Sequence, residues 1–256
     1  MIALPAWPEL WKTLRPLAVL FVIGWLVRSL LFGALAIGDM SMLPQLRRGD
    51  MLLVAKWPYG WSHHGLFGGV PLFRGRIGAA LPARGDVVVV RVGPRNRVKR
   101  VIGLPGDRVA LRAGTVRLDG RPLPRLRIGD LLLASGPGDR CGGVRREADG
   151  CRYRRYLETL PDGRRHAVLD SAPGASDTMA ERRVPAGHLF LLGDDRDESR
   201  DSRSAELDGG TDMVDADRLL GRASVVIWST DGSARWLSPL SWWRATRWDR
   251  IGLAVE

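Results

Sequence analysis

One apolar segment near the N-terminus limits what this chain can fold into more than any other feature. It runs from about Leu10 to Val27, close to the roughly 20 apolar residues with which a helix crosses a bilayer. Lys12 and Arg15 lie near its start, where long side chains extend to the polar interface, and Arg28 follows its end, where a charge costs less than at mid-bilayer. The segment predicts a transmembrane anchor with a short cytoplasmic tail. No second apolar segment follows, so the rest of the chain is expected outside the cytoplasm.

A cleaved signal peptide is the alternative interpretation of the same segment. Basic residues precede the apolar run, and residues Ala34–Ala36 read ALA, the small-x-small pattern of a cleavage site. Under both interpretations, most of the chain is exported from the cytoplasm. We favour the anchor, and the sequence alone leaves the choice open.

The remainder of the chain is typical of a β-protein with many turns. The 256 residues include 31 Gly and 16 Pro, and the apolar runs are short and rich in valine. The stretch RGDVVVVRV from Arg84 predicts a strand after a turn. The stretch from Asn96 predicts a strand, a Pro-Gly turn, another strand and a hairpin closed at Asp119 and Gly120. No amphipathic helix of convincing length follows residue 50, so the predicted fold class is mainly β.

The net charge of +11 does not by itself identify a partner. The arginines are scattered along the chain without forming a block, and no zinc-finger, helix-turn-helix or RNA-recognition signature accompanies them. Nucleic-acid binding is therefore not predicted.

The identity of the basic residues is more informative than their number. Of 39 basic residues only Lys12, Lys56 and Lys99 are lysines, and a desolvated lysine can lose its proton whereas arginine cannot. Lys99, within RNRVKRV, lies on a predicted strand, where alternation puts Val98 and Arg100 on the opposite face. Lys99 is thus a candidate base pointing into a dry interior, with Arg100 expected in solvent. An ordinary surface cation is the alternative.

Two cysteines, Cys141 and Cys151, flank a turn-rich stretch, GGVRREADG. In an oxidising compartment a pair so close in sequence is more often bridged than free. The histidines give no metal-ligand spacing, so neither a metal site nor a cofactor is predicted. They are His63, His64, His166 and His188, of which the adjacent first two are expected in a loop.

Two polar stretches carry further reactive side chains. GDMSMLPQLRRGD, directly after the apolar segment, contains a lone serine, Ser41, between two methionines. GHLFLLGDDRDESRDSR predicts a buried strand that runs into a loop of acids, serines and arginines. Asp201 and Arg203 can pair within this loop, which leaves the hydroxyls of Ser199 and Ser202 to bond elsewhere. A solvated turn is the alternative for the second stretch.

Three of these stretches together resemble the sequence boxes of bacterial type I signal peptidases, the membrane-anchored serine proteases that remove signal peptides from exported proteins. SMLPQLRRGDMLLVAKWPYG resembles the serine box and the segment after it, VKRVIGLPGD the lysine box, and GDDRDESRDSR the third box. Three boxes in the family's order are far more specific than one. The resemblance implies cleavage of secreted preproteins after small residues of the Ala-x-Ala type, without a cofactor.

The resemblance also implies roles for individual residues. Ser41 would be the nucleophile, Lys99 the general base, Ser199 the hydroxyl that orients the lysine, and Asp201 with Arg203 a supporting ion pair. A lysine activates a serine only when it is neutral. Its pKa would have to fall from about 10.4 to roughly 7 or 8, which burial beside other cations supplies.

Four apolar positions match those that line the family's shallow pockets for small side chains before the scissile bond. They are Ile37, Met42, Leu46 and Val98. Plain packing in the core is the alternative for these side chains.

Asp39 is where the sequence departs from the family. Most relatives have Pro-Ser-Gly or Pro-Thr-Gly before the nucleophile, and that hydroxyl helps the backbone N–H of the serine to hold the oxyanion, whereas this chain has Gly38-Asp39-Met40. A carboxylate aimed at a developing negative charge opposes catalysis. Asp39 is therefore expected either to be protonated and donate, or to turn away to an arginine such as Arg47 or Arg48.

The resemblance implies a β catalytic core with a second β cap domain inserted between the lysine box and the third box. The expected divisions are residues 1–28 for the tail and anchor, 29–108 and 186–256 for the two parts of the core, and 109–185 for the cap, which contains both cysteines. The expected location is the bacterial inner membrane, with a single span and the catalytic domain outside.

The C-terminal stretch ARWLSPLSWWRATRWDRIG mixes tryptophans with arginines. This mixture suits contact with a lipid bilayer at the interface, and packing of one or two rings in the core is the alternative.

Two other functions fit parts of this pattern. One is a related Ser/Lys peptidase that cuts itself or one dedicated partner, against which the anchor and the large insertion argue. The other is a membrane-tethered basic binding protein whose Ser/Lys pair is vestigial.

Overall fold

The structure, a computed structural model, describes residues 7–65, 73, 75–133, 141, 144–235 and 237–256. These residues form one long N-terminal helix, strands in four sheets and a short C-terminal helix. Residues 1–6, 66–72, 74, 134–140, 142, 143 and 236 lie outside the described residues.

The N-terminal helix α1 spans Trp7–Leu26 and continues as a π-helical turn, Val27–Leu31. Among the described residues it is the one helix long and apolar enough to cross a membrane. Its most apolar stretch is Leu14–Leu31. This agrees with a membrane anchor. The chain stays helical past Arg28 up to the first strand, so the helix is longer than the predicted span Leu10–Val27, whose limits stay a prediction.

The strands carry most of the rest of the chain. In chain order they are β1 (Phe32–Ala36), β2 (Asp50–Ala55), β3 (Trp61–Ser62), β4 (Arg76–Ile77), β5 (Val87–Val92), β6 (Arg95–Gly103), β7 (Arg108–Arg112), β8 (Thr115–Leu118), β9 (Arg121–Pro122), β10 (Arg125–Leu133), β11 (Arg145–Glu147), β12 (Gly150–Thr159), β13 (Arg165–Leu169), β14 (Met179–Arg183), β15 (His188–Leu192), β16 (Val214–Asp215) and β17 (Leu219–Ser229). Helix α2 follows at Pro239–Ala245. The prediction of a mainly β fold is confirmed.

The largest sheet is antiparallel and has the strand order β1-β2-β17-β5-β6-β15-β16. Its valine-rich centre is covered on both faces. Val87 and Val89 pack into one buried cluster, and Val88 and Val90 pack into another. A strand buried on both faces explains a continuous apolar run in place of polar and apolar alternation.

The segment between β6 and β15 forms two further sheets. One has the order β14-β7-β8-β9, and in the other β12 pairs with β10, β11 and β13. The first packs on the large sheet through a cluster that includes Val109 and Phe190. The predicted turn at Asp119 and Gly120 is confirmed, since φ is positive at both residues (48° and 78°). The division of the chain at residues 28, 108 and 185 stays a prediction.

The second of these sheets carries the disulfide between Cys141 and Cys151. Cys151 lies near the start of β12 and is buried with Tyr153, Leu169 and Leu43 in one apolar cluster. Leu43 belongs to the loop that carries Ser41. The strands between β6 and β15, called the inserted strands below, therefore pack directly against the serine loop.

Strand β1 joins the anchor to the large sheet. It pairs with β2 over its whole length, Phe32 opposite Ala55 and Ala36 opposite Met51. The N–H of Ile37 continues the ladder by donating to the carbonyl of Asp50 at 2.7 Å. The ALA sequence is thus part of a paired strand.

We expect the mature protein to keep the residues before Ile37. Cleavage after Ala36 would remove all of β1 from the edge of the sheet and leave Ser41 close to a new N-terminus. N-terminal sequencing of protein extracted from membranes measures this, and a start at Ile37 would establish the cleaved leader instead.

Candidate active site

Ser41 and Lys99 meet in the interior of the large sheet. Ser41 lies in the turn between β1 and β2, and Lys99 lies in β6, opposite Val88 of β5. The amine Nζ is 2.6 Å from the hydroxyl Oγ. Lys99 is 1% exposed and Ser41 4% exposed, so the predicted inward direction of the lysine is confirmed. Such a pair can pass a proton from a hydroxyl to an amine.

The charge state of Lys99 is governed by its surroundings. Burial lowers the pKa of Lys99, because desolvation disfavours the cation. The carboxylates of Asp201 and Asp39 act in the opposite direction, and the guanidinium groups of Arg97 and Arg203 add to the lowering. The balance is a lowered pKa, which increases the fraction of Lys99 that is neutral and able to act as a base.

Asp39 lies directly against the serine. Its Oδ1 accepts hydrogen bonds from the Ser41 hydroxyl at 2.8 Å and from the Ser41 backbone N–H at 3.1 Å. An aspartate readily makes such contacts with the residue two positions ahead. Within the described part of the chain no hydrogen bond or ion pair joins Asp39 to Arg47 or Arg48, so the expected turn towards an arginine is wrong.

The loop after β15 supplies a buried ion pair beside the lysine. The Asp201 carboxylate binds the Arg203 guanidinium through two hydrogen bonds, of 2.8 Å and 2.9 Å. It also accepts hydrogen bonds from the backbone N–H groups of Gly193 and Arg203. Burial alone would raise the pKa of Asp201, but the Arg203 guanidinium holds it below its usual range. The carboxylate therefore stays ionised close to Lys99.

Ser199 does not make the hydrogen bond to Lys99 that the sequence predicts. Its Oγ is buried and has no hydrogen-bond partner among the described residues. The side chain packs over Gly193, where an added Cβ would lie 2.2 Å from the Ser199 hydroxyl and 2.5 Å from the Ser41 carbonyl oxygen. The backbone of the third box thus passes between the two serines. Ser202 accepts a hydrogen bond from the N–H of Leu191 in β15 and donates one to the carbonyl of Asp212.

Arg100 is buried, which makes the prediction of a solvated side chain wrong. It is 2% exposed and forms a bidentate pair with Asp194, at 2.8 Å and 2.7 Å. It also donates to Gln45, in the serine loop, at 2.7 Å. Both faces of β6 are covered, so alternation separates Lys99 from Arg100 without exposing either.

A second buried pair holds the other end of the serine loop. Arg250, near the C-terminus, binds both oxygens of Asp50 at 3.0 Å and 2.6 Å and the carbonyl of Gln45 at 2.8 Å. Ser229 donates to the same carboxylate at 2.7 Å. We did not predict this contact from sequence, although the acid at the end of RRGD was a signal for it.

The inserted strands reach the third box through a further ion pair. Arg196 binds Glu158 of β12 at 2.7 Å and donates to the carbonyl of Gly193 at 3.2 Å. Burial alone would raise the pKa of Glu158, but Arg196 and His166 hold it well below its usual range. The position of the loop beside Lys99 thus depends partly on the insertion.

The four predicted pocket residues come together in one apolar cluster beside the serine. Met42 and Leu46 are 1% and 0% exposed, so they pack in the core and present no surface to a peptide. Their assignment to substrate binding stays a prediction. Ile37 and Val98 are 6% and 7% exposed and reach the edge of the cluster.

The C-terminal tryptophans are more exposed than core packing would allow. Trp242, Trp243 and Trp248 are 41%, 65% and 47% exposed. Trp248 contacts the ring of Trp243 at 4.3 Å and that of Trp228 at 6.0 Å. These rings form a surface cluster.

Three carboxylates of the described residues come within 4.8 Å of one another, those of Asp170, Asp177 and Asp197. Asp170 is paired with Arg125 at 2.7 Å. This cluster alone identifies no metal site.

Asp195 contacts the serine from the third box. Its N–H donates to the Ser41 carbonyl at 3.1 Å, and its carboxyl is fully buried with one oxygen, Oδ2, lacking a hydrogen-bond partner in the described structure. Burial raises the pKa of Asp195 to about 7, and the like charges of Asp197 and Glu198 contribute.

We expect Asp195→Asn to stabilise the protein at neutral to alkaline pH. Because the folded pKa lies above the ordinary 3.8, the folded state holds the proton more tightly than the unfolded chain. Stability therefore falls as pH rises from about 4 to about 7. The variant should lack this fall and gain roughly 2 to 4 kcal/mol at pH 8. Thermal unfolding from pH 5 to pH 8 measures it, with exposed Asp208→Asn as the control; parallel wild-type and variant curves would contradict it.

Comparison with known proteins identifies the family of this chain. The family model "Signal peptidase, peptidase S26" matches residues 10–228. Signal peptidase I of Rickettsia akari (strain Hartford) is 30% identical over 240 residues, which cover 88% of this chain and 79% of that protein. Signal peptidase I of Rickettsia canadensis (strain McKiel) is 30% identical over 250 residues, covering 91% and 81%.

A crystal structure of a signal peptidase I from Enterococcus faecalis V583 is 20% identical and covers 57% of this chain and 98% of that chain, with a TM-score of 0.31. That score is too low to add to the assignment. The match of the family model and the extent of the Rickettsia matches are sufficient: the chain belongs to the signal peptidase I family of serine peptidases, peptidase S26.

Proposed function

We propose that this protein removes signal peptides from exported preproteins with Ser41 as nucleophile and Lys99 as general base. The observation that carries the proposal is the 2.6 Å contact between Lys99 Nζ and Ser41 Oγ inside a buried site. Burial lowers the pKa of the amine there. A neutral amine at that distance can take the hydroxyl proton. Without such a base, a serine hydroxyl is a poor nucleophile.

The reaction then follows the chemistry of acyl transfer. Lys99 accepts the proton of Ser41 as Oγ attacks the carbonyl carbon before the scissile bond. The resulting ammonium gives that proton to the leaving amine as the C–N bond breaks, and an ester to Ser41 remains. Neutral Lys99 next takes a proton from a water molecule, whose oxygen attacks the ester. Return of the proton to Ser41 releases the signal peptide and restores the dyad.

The surrounding ion pairs support this cycle by fixing charge and position. Asp201 and Arg203 neutralise one another and hold the third-box loop beside Lys99. We assign both residues supporting roles. For Ser199 we propose an orienting role once a substrate is bound, since its buried hydroxyl has no hydrogen-bond partner among the residues that the structure describes.

Asp39 controls access to the oxyanion position in this scheme. The backbone N–H of Ser41 is the donor that the oxyanion of the tetrahedral intermediate would need. In this structure that N–H donates to the Asp39 carboxylate. The carboxylate therefore has to move aside or take up a proton before the tetrahedral intermediate forms. A hydroxyl at this position would not impose that requirement.

We also propose the substrates of the enzyme and its location. Ile37 and Val98, at the edge of the apolar cluster, would form the floor of a pocket that accepts only small side chains. Helix α1 would anchor the enzyme in the bacterial inner membrane with the active site on the outer side, where the bond between Cys141 and Cys151 is stable. The exposed tryptophan cluster would then face the lipid headgroups.

We expect Ser41→Ala and Lys99→Arg each to lower preprotein cleavage by about a thousandfold or more, while the protein stays folded and membrane-bound. Arginine keeps the charge but cannot act as a base. Processing of a purified preprotein measures this, with Ser233→Ala and Lys12→Arg as matched controls. An active Lys99→Arg enzyme would remove Lys99 from the mechanism, and cleavage confined to the enzyme's own chain would favour a self-processing peptidase.

We expect Asp39→Ser to retain at least the wild-type kcat/KM and to shift its acid limb to lower pH. The Asp39 carboxylate raises the pKa of Lys99, so its removal lowers that pKa and leaves the base neutral at lower pH. Asp39→Asn, which removes the charge and adds no hydroxyl, separates the two effects. The pH profile of kcat/KM measures both variants. A large loss in Asp39→Ser would show that the carboxylate itself is required.

A further inference from the structure

The junction between the anchor and the large sheet is closed by hydrogen bonds from the sheet. The last carbonyls of any helix have no partner within the helix, and here those of residues 28–31 all accept hydrogen bonds from residues that follow β2. The contacts are Lys56 Nζ to Arg28 O at 2.9 Å and to Ser29 O at 3.4 Å, Trp61 Nε1 to Leu30 O at 2.6 Å, and Lys56 N to Leu31 O at 3.0 Å.

Lys56 is one of two buried lysines among the described residues, and the catalytic cycle does not use it. It is 9% exposed, and its amine also donates to the carbonyl of Gly65. Burial lowers its pKa to about 8, and the nearby charge of Arg28 contributes. A compact ammonium with three rotatable donors suits three converging carbonyls better than a planar guanidinium does, and a cation suits the negative end of a helix.

This cap fixes the distance between the end of the anchor and the dyad. Lys56 directly follows β2, and β2 pairs with β1 over five residues, from Phe32 opposite Ala55 to Ala36 opposite Met51. Five antiparallel residues span roughly 17 Å. The helix end is held at one end of this hairpin, and the serine loop begins at the other.

We propose that Lys56 and Trp61 are positioning residues that lock the anchor to the catalytic sheet and so hold the dyad at a fixed height and orientation over the bilayer. The inference rests on the proposed function. A preprotein embedded in the same bilayer presents its cleavage site at a depth set by the membrane, so a fixed dyad selects which peptide bond it meets. A short peptide in solution has no such constraint.

The test compares two substrates of the full-length enzyme in phospholipid vesicles: a preprotein inserted in the same vesicles, and a water-soluble peptide spanning the same cleavage site. The variants are Lys56→Met and Trp61→Phe, each of which deletes donors to the helix end. Lys56→Arg restores a cationic donor. Arg121→Met removes an exposed cation elsewhere. Trp57→Phe keeps an aromatic ring against Phe32 and removes an indole that, within the described part of the chain, makes no hydrogen bond to the helix end.

We expect kcat/KM for the embedded preprotein to fall about ten- to a hundredfold in Lys56→Met and Trp61→Phe, with less than about a twofold change for the peptide, because small displacements of reacting groups cost this much. The new N-termini, read by mass spectrometry, should become heterogeneous. Lys56→Arg should recover part of the loss, and both control variants should match the wild type.

The ratio of kcat/KM for the embedded preprotein to kcat/KM for the soluble peptide decides whether the proposal holds. Equal losses on both substrates, as general destabilisation would produce, or no loss on either in both variants, would overturn it. Failure of the proposed function looks different: the wild type would cleave neither substrate, or Ser41→Ala would cleave both.

Discussion

The burial of one amine beside one hydroxyl is the constraint on which the rest of this structure depends. Lys99 is a useful base only while water is kept away from it, and the covered large sheet provides that environment. Ser41 enters the same interior from a loop, so the loop has to be held closely. Its 2.6 Å contact with the amine therefore requires fixed positions for segments far apart in sequence.

Buried arginine–carboxylate pairs provide those fixed positions. Each is bidentate, which sets direction as well as distance. Three of them join segments far apart in sequence, and the fourth, Arg203 with Asp201, lies within the third-box loop. They are Arg100 with Asp194, Arg250 with Asp50, Arg196 with Glu158, and Arg203 with Asp201. Loss of one partner from such a pair leaves an uncompensated buried charge, at a cost of about 3 to 5 kcal/mol. The arginine-rich composition thus has a use inside the protein as well as on its surface.

The serine loop also connects the Ser41–Lys99 pair to the N-terminal helix, through β1. On one side Asp39 accepts hydrogen bonds from the hydroxyl and the backbone N–H of Ser41; in the proposed mechanism a substrate has to displace these contacts. On the other side β1 leads back to the end of the anchor, where Lys56 and Trp61 cap the helix. Neighbours outside the dyad therefore set the charge around Ser41 and its distance from the end of the helix.

The sequence by itself determined the long apolar N-terminal helix, the mainly β class, the hairpin turn at Asp119 and the inward direction of Lys99, because these follow from local composition, periodicity and turn geometry. Three ordered motifs also indicated the family. Tertiary structure decided the burial of Arg100, the uncommitted hydroxyl of Ser199 and the core positions of Met42 and Leu46. Periodicity tells which face of a strand a side chain takes, but whether that face is covered, and by which partner, depends on segments distant in sequence.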